Sequence, residues 1–384
     1  MPPSSACATT RREPWWSSGA SLASDAIPSH VKTSAGCVSI GDLDGDGQPD
    51  IFIGGRVSGK YPLPPRSFIL HNNKGVFTDI TEKACPAISR AGMITSAKWV
   101  DFNNDRQTDL VIAGEWMPIR WFKNDHGALH EVTDSTGLSV MNGMWRSLAV
   151  ADLDGDGDPD IIAGNLGLNC EYEVNERQPM ELFATDLDHN GSIDPVLCYY
   201  VKDEDGTRRS YPVASRKKLA EQVPFIKKQF LYNADYARAG FRDIYKASPD
   251  DALLSLSCNE TRSCWFENIG HGKFVKHLLP PQAQFAPVNA IVCEDIDHDG
   301  QVDLLLAGNE YQTEVMRGRY DASYGCFLKG RGNAKDRFTY SPGAENGLLL
   351  QGDIKSMAII RSIGRYRLLL AAANDDSLRV LKIR

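Results

Sequence analysis

Apolar residues in this chain fall in short runs that straddle acidic turns. Ile51-Phe52-Ile53, Leu110-Val111-Ile112, Ile161-Ile162, Val196-Leu197 and Leu304-Leu305-Leu306 each follow a polar nonapeptide. Trp99-Val100, Leu148-Ala149-Val150 and Ala290-Ile291-Val292 precede three of those nonapeptides. Runs this short, bounded by turn residues, predict buried strands rather than helices. Each nonapeptide is therefore expected in a β-hairpin. A second hairpin recurs at Phe68 to Phe77, Trp121 to Gly127 and Trp265 to Phe274, with a weaker copy at Phe327 to Gly332. Its tight turn contains Gly. One unit thus reads strand, acidic loop, strand, connection, strand, tight turn, strand. Four antiparallel strands in roughly 50 residues predict a propeller blade, and the fold class is all-β.

The five nonapeptides are DLDGDGQPD (Asp42 to Asp50), DFNNDRQTD (Asp101 to Asp109), DLDGDGDPD (Asp152 to Asp160), DLDHNGSID (Asp186 to Asp194) and DIDHDGQVD (Asp295 to Asp303). Asp or Asn stands at positions 1, 3 and 5, and Asp at position 9. Oxygen ligands at alternate positions of a tight turn wrap a hard cation, and calcium is the expected ion. An EF-hand is excluded, because such a loop ends in Glu at position 12 between helices. Here position 12 is Ile53, Ile112, Ala163, Leu197 or Leu306.

Side chains at positions 1, 3, 5 and 9 and the carbonyl at position 7 form the expected ligand set. The first site is Asp42, Asp44, Asp46 and Asp50 with Gln48, and the third is Asp152, Asp154, Asp156 and Asp160 with Asp158. The Asp158 side chain is expected to point to solvent. The fourth is Asp186, Asp188, Asn190 and Asp194 with Ser192, and the fifth is Asp295, Asp297, Asp299 and Asp303 with Gln301. These four keep Gly at position 6, where a positive φ is needed. The second (Asp101, Asn103, Asp105 and Asp109 with Gln107) has Arg106 there instead. It is expected either to bind weakly or to stay empty with a direct Arg106–carboxylate contact. Four or five ions per chain follow.

Loop starts are 59, 51, 34 and 109 residues apart. The gap of 34 predicts a compact blade, and the gap of 109 an insertion. Within that insertion Leu219, Val223, Ile226 and Phe230 recur at helical spacing, with Pro224 set to split the helix. A helical insertion at about 214–248 inside the fourth blade is expected, its lysines on a solvated face. Ile354 to Ile383 has strand character without an acidic loop and reads as a degenerate last blade.

The 384-residue chain carries a net charge of −8, and nineteen of its Asp residues lie in the five loops. Five divalent cations would more than cancel that charge, so the acidity is site chemistry. No basic face suggests nucleic acid, and no apolar run has the length of a membrane span. The nine cysteines are irregularly spaced. Most read as buried thiols, with Cys258 and Cys264 able to close a small loop. Residues 1–35 read as disordered or foreign to the fold, without a signal peptide.

Catalytic motifs are absent from the sequence: there is no Gly-x-Ser-x-Gly elbow, no HExxH and no phosphate loop. His189 and His298 occupy position 4 of their loops, where side chains point away from an ion. If the loops share one face, the connections after each second strand share the other. There Trp116, Asn165, Asn169, Tyr172, Asn309, Tyr311, Arg317, Arg319 and Tyr320 suit recognition of a protein or carbohydrate, or else stabilise their own loops.

The loops closely resemble those of the FG-GAP/VCBS repeat family, the calcium-loop propeller of integrin α-subunit heads. Four stretches (54–70, 113–122, 163–169 and 318–325) look most like bacterial VCBS-repeat proteins of the ASPIC/UnbV and cartilage-acidic-protein group. The resemblance covers about residues 36–384 and implies seven blades. Six units are legible, so it implies an N-terminally truncated member. It also implies a secreted, cell-surface or periplasmic recognition module. The alternative from a different class is an accessory or catalytic module of a surface polysaccharide-degrading system.

Overall fold

The computed structural model describes residue 27 and residues 33–245, 254–314, 318–332, 336–361 and 366–383. The reading of residues 1–35 falls almost wholly outside these. The described chain is all-β, with short helices only in connections.

The first sheet contains β1 (Ser34–Gly41), β2 (Asp50–Val57), β3 (Phe68–Asn73) and β4 (Val76–Asp79) in that order. The second contains β5 (Met93–Val100), β6 (Asp109–Met117), β7 (Arg120–Asp125) and β8 (Ala128–Glu131), with β9 (Gly143–Met144) added on β6. The acidic loops join β1 to β2 and β5 to β6, as the apolar runs predict. The tight turns use Lys74-Gly75, His126-Gly127 and His271-Gly272, all at positive φ. Two consecutive left-handed residues make the turn that matches strand twist.

The third blade departs from the expected organisation. It starts with β10 (Ser147–Ala151) and β11 (Asp160–Gly164) around the third loop. The chain then leaves to build β12 (Met180–Thr185), β13 (Asp194–Lys202), β14 (Arg208–Pro212) and β15 (Leu254–Cys258). Only afterwards do β16 (Cys264–Asn268) and β17 (Phe274–Leu278) complete the blade, with Ile162 opposite Trp265 in the β11–β16 ladder. The fourth acidic loop therefore belongs to an inserted sheet of order β14-β13-β12-β15, not to the next blade of the ring. The 34-residue gap marks the entry to an insertion rather than a compact blade.

The predicted helical stretch is present as Arg216–Gln222, Ile226–Gln229, Asn233–Ala237 and Phe241–Ile244. Ser215 caps the first helix by accepting the Lys218 N–H at 3.3 Å, and Pro224 falls in the break between the first two. Leu219, Val223 and Ile226 are buried against Val196 and Cys198 of the inserted sheet, while Lys217, Lys218, Lys227 and Lys228 are exposed. The other face of that sheet, with Met180, Leu182 and Cys258, packs on Met93, Trp116 and Leu166 of the ring. It thereby covers part of the ring face opposite the acidic loops.

The fourth blade is β18 (Val288–Glu294), β19 (Asp303–Gly308), β20 (Cys326–Gly330) and β21 (Phe338–Ser341). The last is β22 (Ile354–Arg361), β23 (Arg367–Ala373) and β24 (Arg379–Ile383), three strands where the others have four. Each junction between blades buries one apolar layer: Phe52 and Ile69 on Leu110 and Ile112, then Val111 and Trp121 on Ile161 and Phe266. Ile162 and Trp265 meet Leu304 and Leu306, and Leu305 meets Leu369. At the ends of this five-blade arc the matching layers face solvent, with Val38 and Ile40 62% and 65% exposed and Val380 55% exposed. The eight described cysteines, Cys258 and Cys264 included, are free thiols.

Candidate metal loops and the opposite rim

Each acidic loop is shaped by two left-handed residues. Position 4 is Gly45, Asn104, Gly155, His189 or His298, and position 6 is Gly47, Arg106, Gly157, Gly191 or Gly300, all at positive φ. The position-6 requirement was legible from glycine; the position-4 requirement was not, because Asn and His also occupy it. The first Asp anchors the turn by accepting backbone N–H groups with both oxygens. Asp42 takes Gly45 and Gly47 at 2.9 Å each, and Asp186 takes Asn190 at 3.0 Å and Gly191 at 2.7 Å. Position 5 accepts the N–H of position 7, as Asp46 does from Gln48 at 2.8 Å.

Position 9 sits deepest. Asp50, Asp109, Asp160, Asp194 and Asp303 are all buried. One oxygen accepts the position-2 N–H, as Asp160 does from Leu153 at 2.9 Å. The other accepts from the third strand: Asn72 to Asp50, Asn124 to Asp109, Asn268 to Asp160 and Gly330 to Asp303, each at 2.8 Å. Burial, reinforced by neighbouring carboxylates, pushes Asp160 up to about 7 and Asp109 up to about 6. Asp194 and Asp303 rise for the same reasons.

Carboxylate oxygens gather within 4.8 Å of one another in four loops: Asp42, Asp44 and Asp46; Asp152, Asp154 and Asp160; Asp186, Asp188 and Asp194; Asp295, Asp297 and Asp299. Donors 2.3–2.6 Å from one calcium ion can lie no more than about 5 Å apart, so the spacing fits. Loop two breaks the set with Asn103. The cation beside its carboxylates is Lys123, 3.3 Å from Asp105, not the exposed Arg106 guanidinium. Arg106 instead supplies its backbone N–H to Asp101 at 2.7 Å. The Asp158 side chain accepts from Asn104 of the adjacent loop at 2.6 Å rather than serving solvent alone.

In loops one, two and five the third strand brings a side chain to the carboxylates that loop spacing alone did not reveal. His71 lies 3.1 Å from Asp50 and 3.7 Å from Asp44, and Lys329 lies 2.9 Å from Asp297. Lys123 and Glu267 hold the same position, just before the residue that binds position 9. Glu267 is paired with His277 at 2.7 Å.

A second contact ties loops across blades. The Asn124 amide donates to the Leu43 carbonyl at 2.7 Å, and Asn268 to the Phe102 carbonyl at 3.0 Å. Arg337 binds the Leu153 carbonyl, and Arg367 the Ile296 carbonyl at 2.7 Å. In every case the acceptor is position 2 of one loop and the donor belongs to the next blade.

On the opposite rim, four of the nine residues follow the loop-stabilising alternative. Trp116, Asn165, Tyr172 and Asn309 are buried. Asn165 accepts the Met144 and Leu166 N–H groups and donates to the Glu260 carbonyl. Asn309 donates to the Ser323 and Gly352 carbonyls. Tyr172 packs edge-on against Tyr199 of the inserted sheet. These four lock connections in place. Asn169 and Arg319 are exposed and Tyr311 and Tyr320 half-buried, with Arg319 over the Tyr311 ring. Arg317 lies outside the described residues.

Charges near that rim alternate from blade to blade. Arg56 pairs with Glu115 at 2.7 Å, Glu115 with Arg146 at 3.2 Å, Arg146 with Glu310 at 3.9 Å and Glu310 with Lys355 at 3.2 Å. Lys355 also lies 2.7 Å from the buried Asp353.

Residues 42–112 and 101–163, about a third of the chain, match the family of FG-GAP-like repeats. The first three acidic loops fall within those matched residues. Among curated protein sequences none matches the chain. The crystal structure of the V. cholerae biofilm matrix protein Bap1 aligns with 89% of this chain at 10% identity and a TM-score of 0.30, and the chain spans 66% of that protein's length. Chaetomium thermophilum Sqt1 aligns with 92% of this chain and 84% of its own, at 11% identity and a TM-score of 0.29. Neither likeness bears on function. The FG-GAP-like loops and their strands agree with a propeller-type module, and among the described residues no helix is long and apolar enough to cross a membrane.

Proposed function

We propose that this protein is a calcium-stabilised propeller that acts outside the cytoplasm as a recognition module, without catalysis. The observation that carries the metal reading is the gathering of three carboxylates within 4.8 Å of one another in four loops, with the buried Asp160 and Asp194 among them in the third and fourth. Like charges so placed repel unless a cation joins them. Calcium would be held by the side chains at positions 1, 3, 5 and 9 and the position-7 carbonyl, and would supply charge neutralisation and rigidity.

Recognition is supported by the FG-GAP-like repeats and by exposed Asn169 and Arg319 on the rim away from the loops. The ligand is a protein or a glycan. Placement with the ASPIC/UnbV-related group is part of this reading and rests on the four stretches that resemble it. Thermal unfolding with and without EDTA, together with calcium stoichiometry, tests the metal half; a chain indifferent to EDTA overturns it. Incubation with a panel of polysaccharides tests the other half, because release of product would make the protein an enzyme.

A further inference from the structure

We propose that the cavity on the axis of the arc binds an oxyanion, either a carboxylate or a sulfate-type group. The proposal deepens the recognition reading and rests on it. The cavity measures about 500 Å³ and is lined by the first strands of all five blades. That is the size range of a small-molecule site. None of its lining residues is aromatic, so a stacked sugar face or an apolar ligand finds no platform there.

Its charges favour an anion. Arg56, Lys98, Arg146 and Lys355 line the cavity, against Glu310 alone. The two rim carboxylates are already shared: Glu115 lies between Arg56 and Arg146, and Glu310 between Arg146 and Lys355. The alternation starts and ends on a cation, Arg56 on the first blade and Lys355 on the last. Those are the two blades that flank the opening of the arc. Asp353 partly offsets Lys355.

Lys98 decides the matter. It projects from β5 into the same cavity, and among the described residues no carboxylate pairs with it. Beside it, the Ser96 hydroxyl accepts the Leu148 N–H at 3.0 Å, which leaves its own hydrogen to donate. An oxyanion held by Lys98 and bridging towards Arg56 and Lys355 would continue the alternating order. Charge-assisted bonds of this kind are the strong ones.

The test uses the full chain in calcium at low ionic strength. Inorganic sulfate and, separately, galacturonate are titrated by calorimetry into the wild type, Lys98→Met, Lys355→Met and the exposed-helix control Lys217→Met. Saturable binding is expected for at least one probe, weakened about tenfold or more by Lys98→Met and less by Lys355→Met, with Lys217→Met unchanged. The better probe tells a sulfate-type from a carboxylate ligand. Melting curves of each variant establish that it is folded, and Lys355→Met carries the test if Lys98→Met is not. The proposal is overturned if neither probe saturates, if the folded cavity variants bind like wild type, or if the control loses as much. A protein that still captures a glycan or protein ligand in any of these cases loses only the axial site.

Discussion

The side-chain amide of Asn124 donates to the backbone carbonyl of Leu43, 81 positions earlier, across 2.7 Å. The same amide bonds to Thr108 at the base of its own loop. One side chain therefore fixes two acidic loops on adjacent blades. Asn268 repeats the arrangement between Phe102 and Pro159. On the first blade, Asn72 reaches only its own loop, at Pro49.

Removing these amides should rank accordingly. Asn124→Ala and Asn268→Ala each leave two carbonyls unpaired in a buried junction, and should cost about 2–3 kcal/mol. Asn72→Ala loses one such bond and should cost about 1 kcal/mol. Urea unfolding monitored by tryptophan fluorescence measures all three. Equal losses would show that the contact between blades contributes nothing.

Loop two should respond to substitution in the opposite sense. Arg106 adopts φ +69, a left-handed conformation that costs a residue with a Cβ roughly 1–2 kcal/mol. Arg106→Gly is expected to stabilise the protein by about 1 kcal/mol. Lys123→Ala removes the cation beside Asp105 and should raise the affinity of that loop for calcium. Calcium titration of the two variants, read as a change in stoichiometry and in the weakest dissociation constant, checks both.

Calcium itself should stabilise each competent loop by about 2.7 kcal/mol at one hundred times its dissociation constant. Asp160→Asn and Asp303→Asn should each reduce the EDTA-sensitive part of the melting temperature. The same substitution at Asp109 should reduce it less, because Asn103 and Lys123 already weaken that loop.

The calcium-free protein should also show an inverted acid response. Asp160 in the folded state rises to about 7 from an ordinary value near 3.8. The fold then holds the proton more tightly than the unfolded chain, so stability falls as pH rises between those values. In EDTA, melting at pH 5 should therefore occur at a higher temperature than at pH 8. Asp160→Asn should flatten the difference. In saturating calcium the trend should disappear, because the cation replaces the proton.

Strand and loop were readable because both depend on neighbours in sequence. The apolar runs around Ile51, Leu110, Ile161 and Leu304 mark strands whatever lies opposite, and alternating Asp with Gly at position 6 marks the turn. Blade membership was not readable, because it depends on what pairs at a distance. The Trp265-Phe266-Glu267-Asn268 hairpin reads like its counterparts, yet nothing local says that it completes a strand ending at Gly164. Which of the two alternatives held at the rim was unreadable for a related reason. Trp116, Tyr172 and Asn309 look like ligand residues in isolation, but two of them, Trp116 and Tyr172, lie beneath a sheet whose docking site the sequence does not announce. Lys123 was missed as the partner of Asp105 because it lies 18 positions downstream on another strand.

The detour between β11 and β16 has a kinetic consequence. A ribosome releases the first two blades as finished units, each closed by contacts within about fifty residues. The third has to wait for some hundred more residues before Trp265 can reach Ile162. Until then the edge of β11 stays unpaired, and contacts of such long sequence separation form slowly. The third blade is thus the point during synthesis at which this chain is most exposed to pairing with the wrong strand.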